Sequence, residues 1–120
     1  MADTITILHT PGCPNVALVR QRLADALARF PGPAPRVVVE EVADPDEANR
    51  RDFHGSPALL VDGVDPFVGP TSPPAFACRT YRTESGVDGA PSVDQIVAAL
   101  AAGQEPRPSA ARPAGTEPAR

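Results

Sequence analysis

The order of the first three predicted elements constrains the fold more than any other feature. Residues 4–8, TITIL, are β-branched and apolar, which is typical of a short strand buried on both faces. After a break at residues 10–12, apolar residues recur with a helical period from Cys13 to Phe30. Residues 37–42, VVVEEV, then predict a second strand. A strand–helix–strand succession implies parallel pairing with a right-handed crossover, and therefore an α/β fold.

The second half of the chain predicts two more helices and two more strands. Asp44-Pro45-Asp46-Glu47 supplies an N-cap, a first-turn proline and an acid, so a short helix should run to about Phe53. Residues 58–61, ALLV, predict a strand that ends at the tight-turn dipeptide Asp62-Gly63. A proline-broken loop follows, and residues 76–83, FACRTYRT, predict the fourth strand. Ser92-Val93-Asp94-Gln95 is a capping box that opens the last helix.

The predicted order is therefore β-α-β-α-β-β-α, with a mixed four-stranded sheet and helices on both of its faces. Residues 1–102 should form one domain. Residues 103–120 contain four prolines and no aromatic or β-branched aliphatic side chain. Because such a segment cannot bury enough apolar surface to offset its ordering entropy, we expect a disordered Pro/Ala-rich tail.

Composition excludes several classes of function. The net charge is −4, and all eleven basic residues are arginines that form no basic block, which argues against nucleic-acid and membrane-surface partners. The N-terminus has no signal-peptide pattern and no stretch approaches the ~18 apolar residues of a membrane span, so a cytoplasmic protein is expected. Two cysteines and two histidines lack the spacing of a zinc site, so we expect no metal and no cofactor.

Cys13 is the strongest candidate for chemistry. A thiol at a helix N-terminus lies at the positive end of the helix dipole, which lowers its pKa below the ordinary ~8.5 and favours the thiolate. His9 lies four residues before Cys13 and His54 three residues before Pro57, so either could approach the thiol and, when protonated, stabilise its thiolate. The simpler interpretation packs His9 at a strand end and places His54 on the surface. The alternative is that Cys13 is a small buried residue. Cys78 shares a strand face with Phe76, so it is predicted either to act with Cys13 or to pack in the core.

Four other polar residues have simpler interpretations. Asp62 and Asp65 flank a turn and are predicted to shape it. Arg79 and Arg82 are predicted to lie on a solvated edge strand, where charge discourages aggregation.

A cysteine where the first helix begins, followed later by a proline directly before the third strand, resembles the thioredoxin superfamily over residues 4–101. The resemblance implies that the Ser56-Pro57 peptide is cis and faces Cys13. It also implies that Pro14, Asn15, Ser56 and Pro57 line the substrate groove. This chain departs from the family's two-cysteine motif because valine occupies position 16. Cys78 or an external thiol would therefore have to resolve an adduct on Cys13.

A second resemblance covers about 25 residues. Phe76, Cys78 and the helix after Pro91 are similar to the C-terminal part of alkylmercury lyases, which implies that two cysteines and an acid cleave a carbon–mercury bond without a cofactor.

The residues and the two resemblances leave three functions open. The first is a thiol-based, oxidoreductase-like redox protein whose partner is a protein or small-molecule thiol or disulfide. The second is a lyase-like or soft-metal-handling protein that uses both cysteines, and the third is a non-catalytic protein-binding module.

Overall fold

The central sheet has three strands, with β1 (Thr4–His9) between β2 (Arg36–Glu41) and β4 (Ala58–Val61). The computed structural model describes residues 3–69 and 72–104. The remaining elements in these two ranges are α1 (Val16–Arg29), α2 (Pro45–Arg50), β3 (His54–Ser56), β5 (Ala75–Cys78), β6 (Tyr81–Thr83), β7 (Gly86–Asp88) and α3 (Val93–Gln104).

The pairing of β1 makes the sheet mixed, as the sequence predicts. Ile7 of β1 is in parallel register with Val39 and in antiparallel register with Leu59. The β1–α1–β2 unit therefore has the predicted parallel strands. Since β1 has a partner on each side and helices above and below, its Ile5, Ile7 and Leu8 side chains are buried. This explains why β1 is apolar almost throughout.

Helices cover both faces of the sheet, also as predicted. Alternate residues of β1 point to opposite faces, so Ile5 and Ile7 enter one core and Leu8 enters the other. The first core contains the buried residues of α1 and α3: Val19, Leu23, Ala26, Ile96 and Leu100. The second joins Leu8 to Ala48 of α2 and to Phe53. Each fully buried Leu, Ile or Phe side chain contributes roughly 1.5–3 kcal/mol to this packing.

The prediction of a four-stranded sheet is wrong. The segment 76–83 forms two short strands, which leave the central sheet and pair elsewhere: β5 runs parallel to β3, and β6 is antiparallel to β7. The strand breaks at Arg79 because that side chain turns inward to an acidic partner. The β3 segment, His54–Ser56, is too short and polar to show a strand pattern in the sequence.

The helix-capping predictions are confirmed, with one change of length. The Asp44 side chain accepts a hydrogen bond from the Glu47 amide at 2.8 Å, and the Ser92 and Gln95 side chains each accept from the other's amide. The second helix ends at Arg50 rather than near Phe53. Asp52 takes a left-handed conformation (φ 52°), and the Phe53 amide donates back to Ala48, which closes the helix.

Two further predictions concern the Asp62-Gly63 turn and the tail. Both turn residues have positive φ, and Val61 and Val64 exchange two backbone hydrogen bonds across them, so the tight turn is confirmed. The last helix extends through Gln104, two residues into the predicted tail. Residues 105–120 lie outside the described residues.

Within the described part of the chain, no helix has the length and apolar character needed to cross a membrane.

Candidate functional site

Cys13 lies in the turn between β1 and α1, not in the first turn of the helix as predicted. Its amide donates to the Thr10 carbonyl at 3.3 Å, and Gly12 supplies the positive φ (70°) that this turn needs. The first helical residue is Val16. Cys13 therefore precedes the N-cap residue, Asn15, by two positions. Cys13 is half-buried.

Ser56 connects the segments that carry the two cysteines. Its fully buried hydroxyl accepts a hydrogen bond from the Thr10 amide at 3.0 Å, which fixes the turn that leads to Cys13. Its carbonyl accepts from the Arg79 amide at 2.9 Å, and Cys78 is its direct partner in the β3–β5 pairing. The Ser56-Pro57 peptide is cis, as the resemblance implies. The Cys13 turn, the cis proline and Cys78 therefore meet around one serine.

Cys78 is exposed, so the prediction that it packs in the core with Phe76 is wrong. All four residues of β5 are exposed, because the strand lies at the edge of a two-stranded pair rather than in the central sheet. Neighbouring strands are spaced about 4.8 Å apart, which places the Cys78 backbone one strand away from Ser56. The position of Cys78 thus favours access from solvent rather than a packing role.

Tyr81 is buried and is hydrogen-bonded to the cis proline. Its buried hydroxyl donates to the Pro57 carbonyl. Burial raises the pKa of Tyr81 well above its ordinary 10.0; the Arg79 charge opposes this, whereas the charges of Asp65 and Cys13 add to it. Tyr81 therefore connects the β6 segment to the carbonyl of the cis proline.

The residue after Cys78, Arg79, takes part in an ion pair that the sequence interpretation missed. Arg79 donates two hydrogen bonds to Asp65, at 2.6 and 3.2 Å, and the two side chains are only 9% and 5% exposed. Asp65 also accepts from the Phe67 amide at 2.9 Å. The expectations of a solvated Arg79 and of a merely turn-forming Asp65 are thus wrong.

Aromatic contacts extend this network to Tyr81. The Arg79 guanidinium lies 4.4 Å from the centroid of the Tyr81 ring, and Phe67 meets that ring edge to face at 5.7 Å. One available signal was Tyr81 itself, the only tyrosine in the chain, which lies two residues after Arg79.

Pro14 and Asn15, both predicted to line a groove, differ in their surroundings. Pro14 is exposed. The Asn15 side chain makes no capping hydrogen bond and packs against Gly89, where an added Cβ would come within 2.5 Å of it. The neighbouring Asp88 is held to α1 by Arg22 at 2.7 Å, a hydrogen bond that lowers the pKa of Asp88. Asn15 therefore joins α1 to the loop before α3.

The two histidines have different partners. Nδ1 of His9 donates to the Thr10 carbonyl at 2.9 Å, which places this ring at the Cys13 turn. Nδ1 of His54 contacts the Pro73 carbonyl at 3.0 Å, and its Nε2 lies 3.3 Å from the Asp52 carboxylate. His54 also lines a cleft of about 380 Å³ together with Leu60 and other residues. His9 is thus adjacent to the Cys13 segment, whereas both nitrogens of His54 have other partners.

The described residues contain no cluster of three or more His, Cys, Asp or Glu side chains arranged to hold a metal ion. Comparison of the chain with protein-family models, curated proteins and solved structures finds no match.

Proposed function

We propose that this chain is a thiol-based redox protein of thioredoxin-like fold, in which the Cys13 thiolate attacks a disulfide or captures a soft electrophile. The observation that carries the proposal is the meeting of both cysteine-bearing segments at Ser56, beside a cis proline. In this proposal Ser56 and Pro57 form one wall of the substrate groove, and Pro14 and Asn15 lie at its helix end.

The proposed exchange proceeds in two steps. The Cys13 thiolate attacks one sulfur of a substrate disulfide, forms a mixed disulfide with it and releases the other substrate sulfur as a thiolate. The Cys78 thiolate then attacks the Cys13 sulfur and releases the second substrate thiolate. The protein is oxidised to a Cys13–Cys78 disulfide as the substrate is reduced. An external thiol would return the protein to its reduced form.

Oxidised glutathione at low protein concentration tests this scheme. The products in the unmodified chain, Cys13→Ser and Cys78→Ser are compared by non-reducing peptide mapping. We expect an intramolecular Cys13–Cys78 bridge in the unmodified chain and a persistent Cys13–glutathione adduct in Cys78→Ser. Exclusive modification of Cys78 in the unmodified chain, at the rate seen in Cys13→Ser, would contradict the assignment of Cys13 as the nucleophile.

The same two thiols support a second candidate, the capture of a soft metal ion or an organomercurial. Soft metals prefer thiolate ligands, and two thiolates suffice for two-coordinate binding. A lyase-like activity needs an acid as well. Asp65 is a buried acid, but both of its oxygens accept hydrogen bonds from Arg79. We therefore favour capture over carbon–mercury cleavage. Methylmercury distinguishes the two, because cleavage releases methane whereas capture leaves an intact adduct of the protein.

The third candidate, a non-catalytic binding module, predicts a different result. A module that acts through its surface alone needs no reactive thiol. The rate at which iodoacetamide alkylates Cys13 in the folded protein, compared with the rate in the urea-unfolded chain, distinguishes the redox protein from the binding module. Native-state alkylation faster than in the unfolded chain supports the redox protein. Slower alkylation, together with no exchange with oxidised glutathione, supports the binding module.

A further inference from the structure

β2 is an outer strand of the central sheet, and its free edge pairs with no strand within residues 3–69 and 72–104. The Arg36 amide donates to the Asp3 carbonyl, on the β1 side. Since alternate residues of a strand direct their backbone groups to opposite edges, those of Val37 and Val39 face outward. These two residues therefore present backbone donors and acceptors to a further strand.

The charges of β2 are complementary to those of a second, antiparallel copy of the same strand. Edge strands commonly carry charges that oppose pairing with other chains, but β2 is positive at Arg36 and negative at Glu40. In an antiparallel pair related by a twofold axis at Val38, Arg36 of each copy lies opposite Glu40 of the other. These positions are non-hydrogen-bonded pairs, whose Cα atoms lie about 4.5 Å apart, so the opposite charges come close together. Moving the axis by one residue places Val42 or Val38 opposite Arg36 instead.

Both charged side chains are accessible for such a pair. Within the described residues, Arg36 is exposed and forms no ion pair. Glu40 contacts Arg51 at the end of α2, but its side chain remains 45% exposed. A carboxylate has two acceptor oxygens, so Glu40 can accept from Arg36 of a second copy as well as from Arg51.

Exposed apolar surface continues from β2 onto α1. Val37 is 44% exposed. A groove of about 160 Å³ lies between the strand and the helix, and its lining is mainly apolar: Arg20, Leu23, Ala24, Leu27 and Val37. In the register centred on Val38, Val37 faces Val39 of the second copy, and such cross-strand contacts stabilise paired strands. Pairing therefore covers an apolar side chain that the single chain exposes to water.

We propose that the outer edge of β2 is a self-association surface, at which two copies of this chain join their three-stranded sheets into one continuous sheet. Backbone hydrogen bonds link Val37 of each copy to Val39 of the other, and an Arg36–Glu40 ion pair lies on either side of the axis. The chain's own C-terminal segment is a poor match for this edge, since residues 105–120 contain no six consecutive residues without proline. Neither cysteine lies on β2, so this surface goes beyond the proposed thiol function and does not depend on it.

Sedimentation equilibrium of the full chain in a reducing buffer, over a wide range of protein concentration, measures self-association. We expect a monomer–dimer equilibrium. Arg36→Glu should weaken the dimer by at least about tenfold, because two attractive charge pairs become two repulsive ones. Arg50→Glu, the same charge change at an exposed residue of α2, should leave the dimer unchanged.

Exchange of charge between copies tests the register. Arg36→Glu and Glu40→Arg should each self-associate weakly, whereas an equal mixture of the two should dimerise, since every facing pair is then again opposite in charge. Circular dichroism of each variant verifies that it is folded, and the double variant Arg36→Glu/Glu40→Arg should dimerise by itself. Hydrogen exchange at the Val37 and Val39 amides should slow as the concentration of the unmodified chain rises, but not at the Val38 amide, which faces β1.

Three results would overturn the proposal: a monomer at every concentration, equal weakening by Arg36→Glu and Arg50→Glu, or no dimer in the mixture of the two charge variants. Slow exchange at Val37 and Val39 that does not depend on concentration would also overturn it, because a segment of the same chain would then cover the edge.

Discussion

Removal of Asp65 should destabilise the protein far more than removal of an exposed acid. The Arg79 side chain is only 9% exposed in the folded protein, and in Asp65→Ala its guanidinium loses its charge partner and two hydrogen bonds. Breaking one side of a buried ion pair costs about 3–5 kcal/mol. The remaining cation–π contact with Tyr81, at 4.4 Å, offsets part of this loss, so we expect the lower end, about 3 kcal/mol. For a domain of this size that corresponds to a fall in Tm of at least about 12 °C.

Urea unfolding followed by far-UV circular dichroism measures this change, with Asp94→Ala as the matched control. Asp94 pairs with Arg29 at 3.0 Å, but the two side chains are 74% and 60% exposed, so its removal should cost less than about 1 kcal/mol. The double variant Asp65→Leu/Arg79→Met removes both charges and should recover most of the loss. If Asp65→Ala costs no more than Asp94→Ala, the pair behaves as a surface contact and the reasoning fails.

Three further predictions concern residues around the same site. The pKa of Tyr81 is raised in the folded protein, so the free energy of unfolding should be constant below pH 10 and fall above it by about 1.4 kcal/mol per pH unit. Tyr81→Phe should remove this pH dependence in urea unfolding experiments, and an unchanged dependence would exclude Tyr81 as its source. In Gly55→Ala the backbone has a φ of 111° and the new Cβ lies 2.8 Å from the Arg79 Cβ, whereas in Gly63→Ala the φ is 85° and no atom lies within 4 Å. Gly63→Ala should lose the roughly 1–3 kcal/mol of backbone strain alone, Gly55→Ala should lose more, and equal losses in thermal unfolding would contradict the close contact. Ser56→Ala leaves the Thr10 amide without its acceptor and should cost about 1–3 kcal/mol; chemical denaturation checks this, and a neutral result would mean that the Cys13 turn does not depend on Ser56.

Much of the fold could be predicted because its signals are local. The apolar run of β1, the helical period of α1, the N-cap of α2 and the capping box of α3 each lie within a few neighbouring residues. The Asp62-Gly63 turn depends on the conformational preferences of two residues. For the candidate site, the cis Ser56-Pro57 peptide followed from a resemblance rather than from a local pattern. The sequence predicts the start of α1 three residues too early, because Pro14 is also compatible with a first helical turn.

The amino-acid sequence was sufficient for the α/β class, the order of most elements and the parallel β1–β2 unit, because backbone preference and hydrophobic period act over short distances. It was not sufficient for the partners of the fourth predicted strand or for the surroundings of the thiols. The Asp65–Arg79 pair spans 14 residues and the Thr10–Ser56 hydrogen bond spans 46. Such pairings depend on which buried polar groups the folded chain must satisfy. That need directs Arg79 inward to Asp65 and leaves Cys78 on an exposed edge.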